Sequence, residues 1–161
     1  MIKDNTRKIA AVLLDIRSSE NAGSICRTAE CAGVDEMYCV GTTPTHIDRF
    51  GRENKKFTKA SLGAEKHVKV EHHKDINLLL KKLKKEKFKI ISLEQAKGAK
   101  DYKNINLKGN FAIILGNEVN GISQKVLKQT DEIAEIKMAG RKESLNVSVA
   151  FGVAIFRILA R

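Results

Sequence analysis

The chain alternates short apolar runs with segments of helical period. Ile9-Ala10-Ala11-Val12-Leu13-Leu14 is continuously apolar over strand length. Such a run suits a strand covered on both faces, as in a parallel sheet. Ser18-Ser19-Glu20-Asn21 then offers capping side chains, and Ala22, Ile25, Cys26, Ala29 and Ala32 recur at helical spacing up to Gly33, which stops the helix. Met37 to Val40 predicts the next strand, completing a strand–helix–strand unit. Further strands are expected at His67 to Val70, Phe88 to Leu93, Phe111 to Leu115 and Glu132 to Ile136. Amphipathic Asp75 to Lys87 and short Ser123 to Gln129 are the intervening helices. The segment 42–64 has no apolar period and holds the only proline, Pro44, so it predicts a long functional loop with room for a helical turn. The fold class is therefore α/β: a mostly parallel sheet with helices on both faces, in one domain spanning 1–161.

The C-terminal pattern differs from all of these. After Ser144-Leu145-Asn146, with Ser144 the expected cap, apolar residues fill nearly every position from Val147 to Leu159. A helix without a polar stripe must be buried all round, and in a small domain this points to a second subunit. Polar Ser144 and Asn146 at the mouth of so apolar a helix need partners, for which a ligand is suited.

Composition adds a partner. Net charge is +11 and the sequence pI is about 9.7, so a polyanion is expected. Aromatics are only 5% and Trp is absent, which favours gripping phosphates over stacking on bases. The loop cations Arg49, Arg52, Lys55, Lys56 and Lys59, with His46 beside them, suit a lid or, as favoured here, contacts to nucleic acid; the lysine-rich face of the 75–87 helix is either a solvated surface or, as its single sign favours, a second basic track. Met1 to Asn5 has no apolar core of a signal peptide, and no apolar run reaches membrane-spanning length, so a cytoplasmic protein without membrane contact is expected. Cys26, Cys31 and Cys39 lack metal-pair spacing and read as reduced, buried thiols; the histidines at 67, 72 and 73 fit no usual metal site, so no metal is expected.

Ligands of such sheets bind at the carboxyl ends of strands, where the polar motifs gather. Leu115-Gly116-Asn117-Glu118-Val119-Asn120-Gly121 turns out of a strand with two glycines. It suits either a backbone cradle for a nucleoside or an ordinary turn, and is neither a Walker loop nor a dinucleotide fingerprint. Asn21 and Arg27 sit early on the first helix, where Arg27 interrupts an apolar face; alone it reads equally as a surface arginine.

Three segments, 21–29, 114–123 and 144–150, resemble in order the motifs of the SpoU (TrmH-like) branch of SPOUT RNA methyltransferases, and Lys59 to Ala64 also looks like a family segment. The resemblance implies a C-terminal trefoil knot, a topology otherwise essentially absent from proteins. It also implies a homodimer formed through the knot and S-adenosylmethionine bound in it. Gly116, Ile136 and Leu145 match positions that hold the cofactor's adenosine, and Leu93, Leu115 and Met138 would line the same pocket. Arg27 matches the residue that activates the ribose 2′-hydroxyl, while Asn21, Glu118, Ser144 and Asn146 match the polar groups around it. Lys137 stands where the family often has proline. The implied activity is methylation of a ribose 2′-hydroxyl in structured tRNA or rRNA, without a separate RNA-binding domain. The ribose oxygen attacks the sulfonium methyl in line, and S-adenosylhomocysteine leaves. A non-catalytic basic RNA-binding or assembly factor on the same fold is the alternative.

Overall fold

The computed structural model describes residues 7–160. Seven strands form one sheet in the order β3-β2-β1-β6-β4-β7-β5. They are β1 (Ile9–Leu14), β2 (Glu36–Val40), β3 (Lys69–His73), β4 (Lys89–Leu93), β5 (Lys100–Asp101), β6 (Phe111–Leu115) and β7 (Glu132–Glu135). Every ladder between them is parallel. The central strands β1 and β6 are buried at every position, as their unbroken apolar runs require.

Alternate residues of these strands feed two cores. Ala11, Leu13, Ile113 and Leu115 face α1 (Ser19–Cys31), α2 (Lys55–Ser61) and α5 (Val147–Leu159), which contribute Ile25, Phe57 and Phe151. Ala10, Val12, Ala112 and Ile114 face α3 (Ile76–Lys85) and α4 (Gln124–Leu127), which contribute Leu79, Leu83 and Leu127. Helices thus cover both faces of the sheet. The chain leaves β1 for α1 on one face and β6 for α4 on the other, so a crevice opens between the carboxyl ends of neighbouring strands.

Helix α1 begins where expected: Ser18 caps it, its hydroxyl accepting from the Asn21 N–H at 3.1 Å. Gly23 lets α2 lie directly on α1, since a Cβ there would fall 2.4 Å from the Phe57 carbonyl oxygen.

Several boundaries differ from the expectation, each for a physical reason. The 42–64 segment contains a full helix, α2, capped by Asn54. It buries only Phe57 and Ser61, too few positions to write a period. The third strand runs later than His67 to Val70, because at the sheet edge β3 pairs with β2 alone and alternates charge with half-buried residues. The two-residue β5 was not expected, and its pairing with β7 is its sole support in the sheet. Asn146, and not Ser144, caps α5: its side-chain oxygen accepts from the Ser148 N–H at 2.9 Å. Cys26 and Cys39 are buried free thiols, both raised to about 12 chiefly by burial, but Cys31 is exposed.

The all-round burial expected of α5 is incomplete within one subunit. Phe151, Ala154 and Ile155 are in the core, whereas Val149 is 50% exposed, Val153 39% and Phe156 50%. With Leu145, 40% exposed just before the helix, they form one stripe at helical spacing. No helix among the described residues is long and apolar enough to cross a membrane. Nor is any group of three His, Cys, Asp or Glu side chains there placed to hold a metal ion.

Candidate active site

A cleft of about 440 Å³ opens at the carboxyl ends of β4, β6 and β7. Strand ends deliver Leu93 and Leu115 to it, the turn after β6 delivers Gly116, and the segment between β7 and α5 delivers Ile136, Met138 and Leu145. Every residue singled out for cofactor contact therefore meets in one cavity, from sequence positions far apart. Glu118, Ser144 and Asn146 line it as well. Its size is in the range of about 300–1,000 Å³ usual for small-ligand clefts.

The wall is tightly built around two glycines. A Cβ on Gly116 would sit 2.5 Å from the Gly121 carbonyl carbon and 2.7 Å from the Ile122 nitrogen. Gly121 has φ +62, and its own missing Cβ would fall 2.4 Å from the Glu94 carboxylate. That carboxylate accepts from the Ile122 N–H at 2.8 Å and the Gln95 N–H at 3.0 Å. Only residues without a Cβ let the turn close this tightly on itself and on Glu94, which fixes the shape of the cleft wall.

Polar residues close the mouth. The Asn21 side-chain amide donates to Glu118 Oε1 at 2.9 Å, and Asn21 Oδ1 accepts from the Asn146 amide at 3.1 Å. Glu118 also accepts from the backbone N–H groups of Arg17, at 2.9 Å, and Ser18, at 3.2 Å. One carboxylate therefore ties β6's turn to the start of α1, and Asn21 ties both to the start of α5. Partial burial pushes the Glu118 carboxyl up, but the Arg17 N–H and the Asn21 amide outweigh it, and the net shift is downward. A carboxylate held below its ordinary value adds stability that is present above that value and fades as pH falls through the lowered one. Glu118→Gln should therefore lower the melting temperature near neutral pH, and the gap should close below about pH 4. A gap that stays constant from neutral to acid pH would show that the carboxylate charge is not what braces the site.

Asn21 reaches this network without lining the cleft, and Ser144 lines it exposed, its side chain making no hydrogen bond among the described residues. Ser144 and Asn146 are thus not buried groups in want of partners: both are exposed, and Asn146 is satisfied by Asn21 and Ser148. Arg27 lies further along α1. It is exposed, outside the cleft wall, and its guanidinium makes no hydrogen bond or ion pair among the described residues. Of the loop cations, Arg49, Lys55 and Lys59 are exposed, Arg52 pairs with Asp48 at 2.8 Å, and Lys56 lies 3.5 Å from Glu20.

The sequence places Glu94 and Asn117 in motifs at strand ends, but their bracing roles emerge only in the structure, as does any part for Asp15. Asn117 donates to the Asp15 carbonyl at 2.7 Å and accepts from the Val119 and Asn120 N–H groups, shaping the turn. Asp15, at φ +54, accepts from the Thr42 N–H at 2.9 Å, so it couples the cleft wall to the loop after β2. No local pattern marks Asp15.

Known proteins are similar to this chain over nearly its whole length. A "tRNA (guanosine(18)-2'-O)-methyltransferase" of Borreliella burgdorferi is 25% identical over 97% of this chain and 68% of its own length. A "Putative TrmH family tRNA/rRNA methyltransferase" of Staphylococcus aureus is 29% identical over 99% of this chain, which spans 62% of that relative's length. Among solved structures, an AdoMet-bound rRNA methyltransferase from Sinorhizobium meliloti superposes with a TM-score of 0.81 at 24% identity, covering 94% of this chain and 55% of that one. Residues 8–156 match the SpoU rRNA Methylase family, and the chain belongs to that family.

Proposed function

We propose that this chain is an S-adenosylmethionine-dependent methyltransferase acting on ribose 2′-hydroxyls of tRNA or rRNA. The observation that carries the reading is the convergence of Leu93, Leu115, Gly116, Ile136, Met138 and Leu145 on one cleft, with Glu118 and Asn146 at its mouth. The relatives named as tRNA and rRNA methyltransferases support it, as does the net charge of +11.

The cleft fits the cofactor. Gly116 and Gly121 let the turn after β6 fold tightly beside the cleft, and Leu93, Leu115, Ile136, Met138 and Leu145 supply apolar walls for the adenosine. Bound there, S-adenosylmethionine supplies a methyl group already activated on a sulfonium. The chain's own work is alignment and charge. Asn21, Glu118 and Asn146 fix the two helix starts against the β6 turn, so the acceptor ribose meets a rigid rim. Arg27 brings a planar guanidinium with five donors and no acceptor. It therefore stabilises the 2′-oxygen as negative charge develops and holds the adjoining phosphate, a bidentate geometry suited to its planar fork. Arg49, Arg52, Lys55, Lys56 and Lys59 lie on the loop and helix after β2, at the same sheet edge, and neutralise backbone phosphates.

Two further features belong to this reading. The open stripe Leu145, Val149, Val153 and Phe156 is the surface a second copy would cover, giving a homodimer. The segment between β7 and α5 crosses the β4 end, where Gln95 Nε2 donates to the Glu143 carbonyl at 2.8 Å, a placement that suits the trefoil knot.

Titration calorimetry with S-adenosylmethionine tests the function. A saturable heat that disappears when half-buried Met138 is replaced by arginine, with the melting temperature retained, supports it. No heat at all would leave a non-catalytic RNA-binding or assembly factor as the better account.

A further inference from the structure

The loop after β2 carries a feature that phosphate binding does not use. Phe50 is 65% exposed at its tip, the most exposed ring position in a chain poor in aromatics. Arg49 and Arg52 flank it, their guanidinium carbons 4.8 and 5.0 Å from the ring centroid. A single aspartate braces the tip. Asp48 Oδ1 accepts from the Phe50 N–H at 2.8 Å and the Arg52 N–H at 2.9 Å, and its Oδ2 accepts from Arg52 Nε at 2.9 Å. Below it, Ile47 and Glu53 form an antiparallel bridge, and the Asp48 N–H donates to the Arg52 carbonyl at 2.8 Å. The ring is thus held out rigidly, and ordering it on binding costs little.

The loop is anchored beside the cleft. Its base is tied to the cleft wall through Asp15, which binds both Thr42 and Asn117. Its far side is tied to α1, where the Asn54 amide donates to Ser19 at 3.1 Å. The loop and the cleft mouth therefore both lie at the carboxyl ends of the strands.

We propose that Phe50 stacks on an unpaired base of the RNA substrate, with Arg49 and Arg52 holding the phosphates on either side. The proposal rests on the RNA reading above and deepens it. It also revises the composition argument: stacking needs one well-placed ring, not many. An exposed cation–π contact is weaker than a base–aromatic stack, so a base displaces one guanidinium at a net gain. The freed guanidinium then meets the neighbouring phosphate. Specificity follows, because a paired base offers no free face and a splayed loop base does.

The chain has no Trp, so Phe50→Trp places a single reporter at the tip. The probes are a short RNA hairpin with an unpaired loop and the same sequence fully paired as a duplex. The hairpin should quench the tryptophan emission and the duplex should not. Phe50→Leu should weaken hairpin binding about 5- to 100-fold, the loss of one stack, and leave duplex binding unchanged. Equal quenching by both RNAs, hairpin affinity unchanged in Phe50→Leu, or emission that shifts on dilution without RNA would overturn the proposal; the last would place the ring against a second copy. A wild-type protein that binds neither RNA would overturn the RNA reading itself, and a protein that binds both but ignores Phe50→Leu would overturn this inference alone.

Discussion

Gly116→Ala should bind S-adenosylmethionine about 5- to 150-fold more weakly than the wild type, the result of overpacking worth roughly 1–3 kcal/mol. The new methyl would lie 2.5 Å from the Gly121 carbonyl carbon, 2.6 Å from Ile122 Cγ1 and 2.7 Å from the Ile122 nitrogen. Two of those are backbone atoms and cannot rotate away. Gly121 cannot retreat either, because the Glu94 carboxylate fills the space behind it and holds the Ile122 N–H at 2.8 Å. The strain must therefore appear as displacement of the cleft wall. Gly140→Ala is the matched control, since a Cβ there meets nothing within 4 Å. Calorimetry beside thermal melts reads both effects. Cofactor affinity unchanged in Gly116→Ala would remove this wall from the binding site.

Arg27→Ala should lower the methylation rate by about 10²–10³, the usual cost of losing one donor to a developing oxyanion, with cofactor affinity and melting temperature unchanged. The separation follows from where the residue sits. Arg27 lies outside the cleft wall, exposed, its guanidinium making no hydrogen bond or ion pair among the described residues, so its removal disturbs neither packing nor the cofactor. Arg27→Lys is the sharper variant. It keeps the charge and loses the planar fork, and the rate should stay well below wild type if bidentate contact matters. A near-wild-type rate in Arg27→Lys would assign the residue to general electrostatics, and one in Arg27→Ala would remove it from the reaction.

Legibility in the sequence followed the number of residues that share a signal. Ile9–Leu14 and Phe111–Leu115 are buried along their whole length, and every residue of each run says so. Helix α3 has Leu79, Leu80 and Leu83 in phase, and its expected span needed only small trimming at the ends. Helix α2 buries two side chains, and β5 has two residues, so neither could announce itself. Leu115, Gly116 and Leu145 could be placed at one cleft because they fall inside the 114–123 and 144–150 motifs, whereas Leu93, Ile136 and Met138 lie outside them and were suggested by the resemblance alone. The bracing of the cleft was not legible: Glu94 reaches the Ile122 N–H across 28 positions, and Asn117 reaches Asp15 across 102. Ser144 and Asn146 are both good caps by type, and the choice was made by tertiary structure. Asn146 can cap α5 with its oxygen while its amide holds Asn21, which a serine at 144 is too far out to do.

The same contrast separates the two polar sets of the site. Asn21, Glu118 and Asn146 converge because they bind one another. Arg27 stands apart from them, which suits a group whose partner is the substrate.

The most direct test of the central claim is the chemical identity of the product. Incubating the protein with total RNA and S-adenosylmethionine labelled in its methyl group, then digesting the RNA to nucleosides and separating them, shows where the methyl goes. The account predicts label in 2′-O-methylnucleosides, appearing about 10²–10³ times more slowly when Arg27→Ala replaces the wild type. Label in base-methylated nucleosides, or none in RNA at all, would contradict it.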